Sequence, residues 1–294
     1  VSLPLLVGSS QAAALLTFVD DVFSAYTYTG NGATQTIVNG IDLATKGGMV
    51  WIKDRLNASN HVLSNTIVGA GYELETNSTS AQGASATKIT GFTSTGFTLG
   101  ADGSVNAVSA PPYVSWTFRK AAKFFDVVTY TGNDVHGRAI AHSLGQAPGM
   151  IIVKRVNAAG NWTVYHRSLT TANAVFLNAI DASAAVDYWA GVTPSAADFT
   201  VSSSSNVNSA SGTYVALVFA HDTSATGLIQ CGSFTTDGSG NATVTLGWEP
   251  QFVLWKKTNM SEDWQLTDIA RGMPAPPSGS GTNKNLHPNT SAAE

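Results

Sequence analysis

The stretch that decides the fold is Met49-Val50-Trp51-Ile52-Lys53, because it returns twice further along the chain. It matches Met150-Ile151-Ile152-Val153-Lys154 at an offset of 101 residues, and Phe252-Val253-Leu254-Trp255-Lys256 after another 102. Each copy is a continuous apolar run of strand length, which is typical of a strand buried on both faces. Matches at a fixed spacing indicate an internal repeat, so the sequence predicts a repeated β-unit of about 100 residues.

Further matches keep the same spacing and place the other strands of the unit. They are Tyr28-Thr29-Gly30-Asn31 with Tyr130-Thr131-Gly132-Asn133, Asn60-His61-Val62-Leu63 with Asn161-Trp162-Thr163-Val164 and Asp263-Trp264-Gln265-Leu266, Gly96-Phe97-Thr98-Leu99 with Asp198-Phe199-Thr200-Val201, and Tyr113-Val114-Ser115-Trp116-Thr117-Phe118 with Tyr214-Val215-Ala216-Leu217-Val218-Phe219. The third copy lacks the last two of these strands. We expect the polypeptide to continue past Glu294 with both, because their loss would leave an open sheet edge and a half-covered core.

Turn-forming residues and the alternation of apolar and polar residues also predict an all-β fold. Asn31-Gly32 and Asp102-Gly103 are turn signals, and Trp162, Val164 and His166 alternate as in a strand with one wet face. Helical periodicity is limited to residues 172–179 and 194–198. The predicted fold is a series of tandem, jelly-roll-like β-sandwich modules. The modules are placed at residues 21–122, 123–225 and, incompletely, 226–294, after a linker or short helix in residues 1–20.

Composition excludes several classes of protein. The 294 residues carry a net charge of −4 with only 12% charged residues, which is not the basic balance of a nucleic-acid binder. No apolar stretch reaches the length of a membrane span, so no membrane insertion is expected. The single cysteine, Cys231, excludes an internal disulfide and a zinc site of paired thiolates. It aligns with Tyr26 and Val128, which predicts an unreactive position buried inside a strand.

No motif of a known catalytic chemistry is present. The sequence has no Gly-x-Ser-x-Gly elbow, no Walker A loop and no Gly-x-Gly-x-x-Gly, and its six histidines lack metal-ligand spacing. A carboxylate for glycoside cleavage is not repeated either, since Asp54 is replaced by Arg155 and Lys257 in the other copies. We therefore expect no enzyme activity, no cofactor and no metal site.

Two sets of residues recur in the repeat and are candidate ligand contacts. Lys154 and Arg155 end the second buried strand, where they could contact an acidic glycan or simply carry their charge to water and protect a sheet edge. His61, Trp162 and Trp264 share one position of the repeat. Exposed rings there would stack on sugars, whereas an alternating Trp in a β-unit is more often part of the core.

The chain from about residue 21 onward also contains segments of a familiar kind. They are Val22-Phe23-Ser24, residues 28–32, 47–53, Asn60-His61, 116–120, 123–132, 271–273 and 286–294. These segments resemble a repeated module of bacteriophage virion proteins, found in tail fibres and tail-associated proteins of marine phages and cyanophages. One departure is that the family carries Asp-Thr-x-Arg-Gly after the Asn-His strand, where this chain has Asn65-Thr66-Ile67-Val68-Gly69. An arginine-based role at that place is therefore not carried over.

The resemblance implies a structural protein of the phage particle, in a tail fibre or another host-facing appendage that contributes to host attachment. The implied partners are other virion proteins and further copies of this chain in a homo-oligomer, most simply a trimer. A host-surface glycan is a further candidate partner, and nucleic acid is not expected as one. The alternatives are a capsid decoration or head-fibre protein, a carbohydrate-binding adhesin array and, ranked last, a glycan-cleaving enzyme.

Overall fold

The computed structural model describes residues 17–273 and 284–294, and it confirms the all-β prediction. The strands form antiparallel sheets, and each described helix spans only three or four residues. The helix or linker predicted for residues 1–20 lies largely outside the described residues. Its described end contains the helical turn α1 (Val19–Val22), which leads directly into the first strand.

The first unit, residues 19–119, has a large and a small sheet. Its elements are β1 (Phe23–Thr29), β2 (Gln35–Val38), α2 (Leu43–Lys46), β3 (Gly48–Asp54), β4 (Val62–Asn65), β5 (Tyr72–Glu75), β6 (Gly83–Ala84), β7 (Ile89–Thr93), β8 (Gly96–Leu99), α3 (Gly103–Asn106) and β9 (Pro112–Arg119). The large sheet has six strands in the order β1-β9-β3-β4-β5-β6, and the small sheet has three in the order β2-β8-β7.

The second unit, residues 125–220, has the same strand order in its large sheet. Its elements are β10 (Phe125–Thr131), β11 (Arg138–Ala141), β12 (Pro148–Arg155), β13 (Trp162–His166), β14 (Asn173–Phe176), β15 (Ala184–Ala185), β16 (Asp198–Val201) and β17 (Thr213–Ala220). The large sheet runs β10-β17-β12-β13-β14-β15, and β11 pairs with β16 in the small one. The short connection between β9 and β10, residues 120–124, contains the predicted module boundary.

The third unit, residues 252–294 without 274–283, is much smaller. It pairs β18 (Phe252–Trp255) with β19 (Gln265–Asp268), which continues into a 3₁₀ turn, η1 (Ile269–Arg271). Leu286 adds a bridge on the other side of Leu266. Residues 221–251 contain no strand, so the prediction that Cys231 lies inside a strand is wrong. Among residues 17–273 and 284–294 the third unit has no strand equivalent to β9 with which the segment around Cys231 could pair.

A second correction concerns the helical periodicity predicted for residues 172–179. This segment contains β14, which pairs with β13 on one side and β15 on the other. Ala174 and Val175 are both buried, because the two faces of the sheet are both covered there. Two-sided burial removes the polar alternation that identifies a strand, and the short run resembles one turn of an amphipathic helix.

The continuous apolar runs have a structural cause, since each large sheet separates two cores. Val50 and Ile52 of β3 face the small sheet of their own unit. Met49 and Trp51 face a second core that all three units share. The shared core consists of residues such as Phe23, Trp116, Phe118, Phe125, Ile152, Leu217, Trp264 and Leu286. The large sheets of the two complete units and β18–β19 therefore pack around one common interior.

Candidate functional site

The predicted tryptophans lie where one unit meets the next. Trp162 is fully buried, and its Nε1 donates to the carbonyl oxygen of Glu75 in the first unit at 3.0 Å. Trp264 is also buried, and its Nε1 donates to the carbonyl oxygen of Phe176 in the second unit at 2.8 Å. Both acceptors end the equivalent strand, β5 and β14. Each tryptophan thus joins its own unit to the preceding one.

His61 occupies the same position in the first unit and is fully buried. Its Nδ1 accepts a hydrogen bond from Trp51 Nε1 at 3.0 Å, and its ring stacks on that of Trp116 with centroids 6.4 Å apart. Burial and then the charge of Lys53 hold the pKa of His61 well below its ordinary value. The backbone of His287, in the third unit, acts on the His61 pKa in the opposite direction. His61 therefore packs between Trp51 and Trp116 of its own unit.

An asparagine fixes the start of the equivalent strand in every unit. The side-chain oxygen of Asn77 accepts the backbone N–H of His61 at 2.9 Å. Asn178 does the same for Trp162 at 2.7 Å, and Asn289 for Trp264 at 2.9 Å. The spacing from Asn178 to Asn289 is longer than the repeat, because the third copy has additional residues before Asn289. This insertion hides the match in a search at constant offset.

Three backbone hydrogen bonds between units follow the same repeat, and we call them the ring contacts. Gln82 N donates to Val156 O at 2.8 Å, and Ser183 N donates to Thr258 O at 2.9 Å. Glu294 N donates to Arg55 O at 3.0 Å. Each donor lies five residues after its unit's asparagine. The contacts run from the first unit to the second, from the second to the third, and from the third back to the first. The three units therefore form a closed ring.

The predicted basic residues differ in their roles. Lys154 is buried, and its Nζ donates to Thr79 O of the first unit at 2.9 Å and to Gly160 O at 2.8 Å. Lys256 Nζ reaches Ile180 O of the second unit at 2.9 Å in the equivalent way. Burial lowers the pKa of Lys154 to about 8, because no carboxylate compensates for the lost hydration. Arg155 is half-buried and contacts Asn157 of its own unit, with Nε 3.1 Å from Oδ1.

A buried ion cluster that the sequence interpretation missed completes the contact between the third and first units. Arg271 Nε lies 2.6 Å from Asp268 Oδ2, and both side chains are fully buried. The same carboxylate oxygen accepts Trp116 Nε1 of the first unit at 2.9 Å. Arg271 also contacts Glu294, whose other oxygen lies 2.6 Å from Arg55 NH2. We call Asp268, Arg271, Trp116, Glu294 and Arg55 the closing cluster.

A sequence signal for the closing cluster exists in the third copy. Asp268-Ile269-Ala270-Arg271-Gly272 follows the pattern Asp-x-x-Arg-Gly that the first copy lacks. Asp268 starts η1 by accepting the backbone N–H of Arg271, and Gly272 ends it in a left-handed conformation. A single turn of this kind brings the arginine side chain back onto the aspartate, which explains the spacing.

The second unit has a shallow groove on its surface. It encloses about 370 Å³ and is lined by Tyr165, Arg167, Ser168, Leu169, Thr170, Thr171 and Thr193. Arg167 NH1 lies 2.6 Å from His221 Nε2. Burial and then the charge of Arg167 lower the pKa of His221, so its ring is a neutral acceptor. The groove therefore presents one cation among hydroxyl groups.

Cys231 lies next to His221, whose Nδ1 accepts the backbone N–H of Cys231 at 3.0 Å. Cys231 is half-buried, and burial raises the pKa of its thiol to about 12, which keeps it protonated and unreactive. Among residues 17–273 and 284–294, no three His, Cys, Asp or Glu side chains group as metal ligands would. No helix within these residues is long and apolar enough to cross a membrane.

The geometry defines an all-β protein whose buried polar groups join three units around a common core. Residues 19–294 match the model of a family described as Domain of unknown function (DUF7483). The match covers nearly the whole chain, so the protein belongs to the DUF7483 family. Comparison with curated proteins and with solved structures gives no significant match.

Proposed function

We propose that the protein is a structural component of a phage particle, in a tail fibre or another host-facing appendage. The closed ring of three units is the observation that carries this proposal. One chain builds a rigid three-part body, in which the ring contacts and the closing cluster hold each unit to both others. Such a body suits a particle that must present a fixed surface, and the resemblance to virion modules supports the same role.

The use of the polar side chains favours a structural role over catalysis. Trp162, Trp264 and Lys154, which could have bound a ligand, donate to backbone carbonyls of a neighbouring unit. Asp268 and Arg271 neutralise each other inside the shared core. A catalytic acid or base has to reach its substrate, and these groups are covered. Absence of enzyme activity is therefore part of the proposal.

Immunogold electron microscopy of purified virions that carry the chain tests the proposal. An antibody against residues 17–273 is expected to label the tail or an appendage. Label on the capsid would favour the alternative of a decoration or head-fibre protein. Chain that is present in the lysate but absent from purified particles would contradict a virion role altogether.

A glycan-binding adhesin is the second candidate, and the groove beside Arg167 is the observation that favours it. A guanidinium surrounded by threonine and serine hydroxyls provides hydrogen bonds for an acidic or hydroxylated sugar. On a glycan array, Arg167→Ala should abolish binding through this groove. Arg155→Ala is the matched control, because Arg155 lies outside the groove. Release of reducing ends from a host polysaccharide would instead indicate a glycan-cleaving enzyme.

A further inference from the structure

The central strand of the third unit lacks one of the two neighbours that the equivalent strands have. In the first unit β3 pairs with β4 on one side and β9 on the other. In the second unit β12 pairs with β13 and β17 in the same way. In the third unit β18 pairs with β19 alone. Among the described residues, no backbone hydrogen bond joins residues 252–255 to any other segment.

The exposure of the β18 side chains agrees with the absence of a second neighbouring strand. All seven residues of β3 are buried, whereas all four residues of β18 are half-buried. Phe234, Val244 and Trp248 in the preceding segment are largely exposed, and the Phe234 ring lies 6.2 Å from that of Trp255. A free strand edge beside exposed apolar side chains is a template for pairing with another strand.

We propose that the free edge of β18 binds an extended, antiparallel peptide strand of the same class as β9 and β17. The repeat fixes its register. Trp116 lies opposite Trp51 in the first unit, and Leu217 lies opposite Ile152 in the second. The equivalent residue of β18 is Leu254, so the incoming strand places a large apolar side chain opposite Leu254.

The two strands already in place define the chemistry of this partner. Their side chains in the shared core are Val114, Trp116 and Phe118 in β9, and Val215, Leu217 and Phe219 in β17. The partner is therefore a segment of about eight residues with a β-branched residue, a large apolar residue and an aromatic residue at alternate positions. Backbone hydrogen bonds supply affinity, and the alternate side chains supply specificity.

The shared core already extends to the proposed docking edge. The Phe252 ring lies 5.6 Å from Phe118 and 5.7 Å from Phe23, both in the first unit. A strand added beside β18 would continue this core instead of starting a new one. A second copy of the chain cannot provide the strand from its complete units, because β9 and β17 are paired there on both sides.

A synthetic peptide with the sequence of residues 112–119 is the probe, added to the complete 294-residue chain. Amide hydrogen exchange, measured by mass spectrometry, should become about tenfold slower in residues 252–255 when the peptide saturates its site. The exchange rates in β3 and β12 should not change. A peptide of the same composition in scrambled order is the control and should leave exchange unchanged.

Backbone methylation separates strand addition from simple hydrophobic contact. Two further peptides carry N-methyl groups at alternate residues, one set on each edge of the strand. The set that faces β18 should abolish binding, because it removes the ladder hydrogen bonds to that edge. Binding that survives methylation of the edge that faces β18 would overturn the proposal. So would absence of binding, slowed exchange in β3, or formation of a dimer through residues 252–255 in place of peptide binding.

Discussion

At the scale of single residues, the repeat uses one position to join units. Trp162 and Trp264 each combine a large buried ring with one N–H, and both donate that N–H to a carbonyl at the end of a neighbouring strand. Indole suits this place because its apolar body fills the shared core while its polar edge satisfies a buried acceptor. In the first unit His61 occupies this position, and its Nδ1 accepts a hydrogen bond from Trp51.

Replacing Trp162 by Phe should destabilise the protein through the lost hydrogen bond to Glu75. Trp162 Nε1 also donates to Ser78 O, and Glu75 O keeps the backbone N–H of Ser78 as a donor, so the free energy of unfolding should fall by about 0.5–1.5 kcal/mol for the lost hydrogen bonding. Urea unfolding followed by fluorescence measures the change. Trp248→Phe is the matched control, because Trp248 is exposed and should change stability by less than about 0.5 kcal/mol. Equal effects of the two substitutions would contradict the inter-unit role of Trp162.

The buried lysines predict a dependence of stability on pH. Burial lowers the folded-state pKa of Lys53 and of Lys154 to about 8, below the ordinary value of 10.5. Between pH 8 and 10.5 the unfolded chain therefore binds more protons than the folded protein, so stability rises with pH. We expect a gain of about 1 kcal/mol per lysine between pH 7.5 and 9.5, after allowance for solvent screening.

Urea titrations at the two pH values measure this rise, and Lys154→Met identifies its source. The variant should keep only the part of the rise that Lys53 supplies. The quantity compared is the change in the free energy of unfolding between the two pH values. A difference in stability between the variant and the wild type at a single pH therefore does not affect the test. An unchanged slope in the variant would show that Lys154 does not titrate in this range.

A substitution in the closing cluster should change the free energy of unfolding more than the substitutions of Trp162 and Lys154 do. Asp268→Asn breaks the buried pair with Arg271 and leaves Glu294 as its remaining carboxylate partner, which Arg55 also contacts, so the loss of stability should be up to about 3–5 kcal/mol. Glu262→Gln is the control, since its pair with Lys257 is exposed and contributes at most about 1 kcal/mol. Thermal unfolding of both variants tests this. A loss in Asp268→Asn no greater than in the control would show that Asp268 does not balance a buried charge.

At the scale of elements, the sequence predicts strands well and their surroundings poorly. The apolar run at residues 49–53 gives the position of β3 because a strand buried on both faces is apolar at every residue. It does not tell which core each face meets. Met49 and Val50 are adjacent and equally apolar, yet one faces the shared core and the other the core of its own unit. That distinction depends on the packing of whole units.

The roles of several polar and aromatic residues depend on contacts between elements, which the sequence pattern does not show. Trp162 and Trp264 were recognised as one column, but stacking on a sugar and packing against a neighbour need the same alternating pattern. Asp268 and Arg271 stood outside every match between copies, since the first copy has Asn65 and Val68 in their place. The Asp-x-x-Arg-Gly spacing accounts for their pairing, but the contact of Asp268 with Trp116 depends on how the third unit packs on the first.

The third unit should not fold by itself. Its β18 packs Phe252 on Phe23, Trp116 and Phe118, all of which belong to the first unit. Residues 229–294 expressed alone would expose this surface, and a two-stranded sheet is marginally stable in water. We expect no cooperative thermal transition and poorly dispersed amide resonances. A cooperative transition of the isolated segment would contradict its dependence on the first unit.

At the scale of the whole molecule, three units around one core give a threefold arrangement within a single chain. The ring contacts are formed at all three junctions, although the third unit is much smaller than the others. Each junction therefore restrains the other two. The homotrimer expected from the resemblance to phage fibres stays a prediction, and the ring provides a threefold body without a second copy.

Small-angle X-ray scattering of the monomeric chain tests the closed ring most directly. A compact chain of this length has a radius of gyration of about 19 Å, and the account predicts a value close to it. Two units of about 100 residues and a smaller third unit arranged in a line, the larger two each about 33 Å across, would give about 28 Å. A value near about 28 Å, with an extended pair-distance distribution, would contradict the contact between Glu294 and Arg55 that closes the ring.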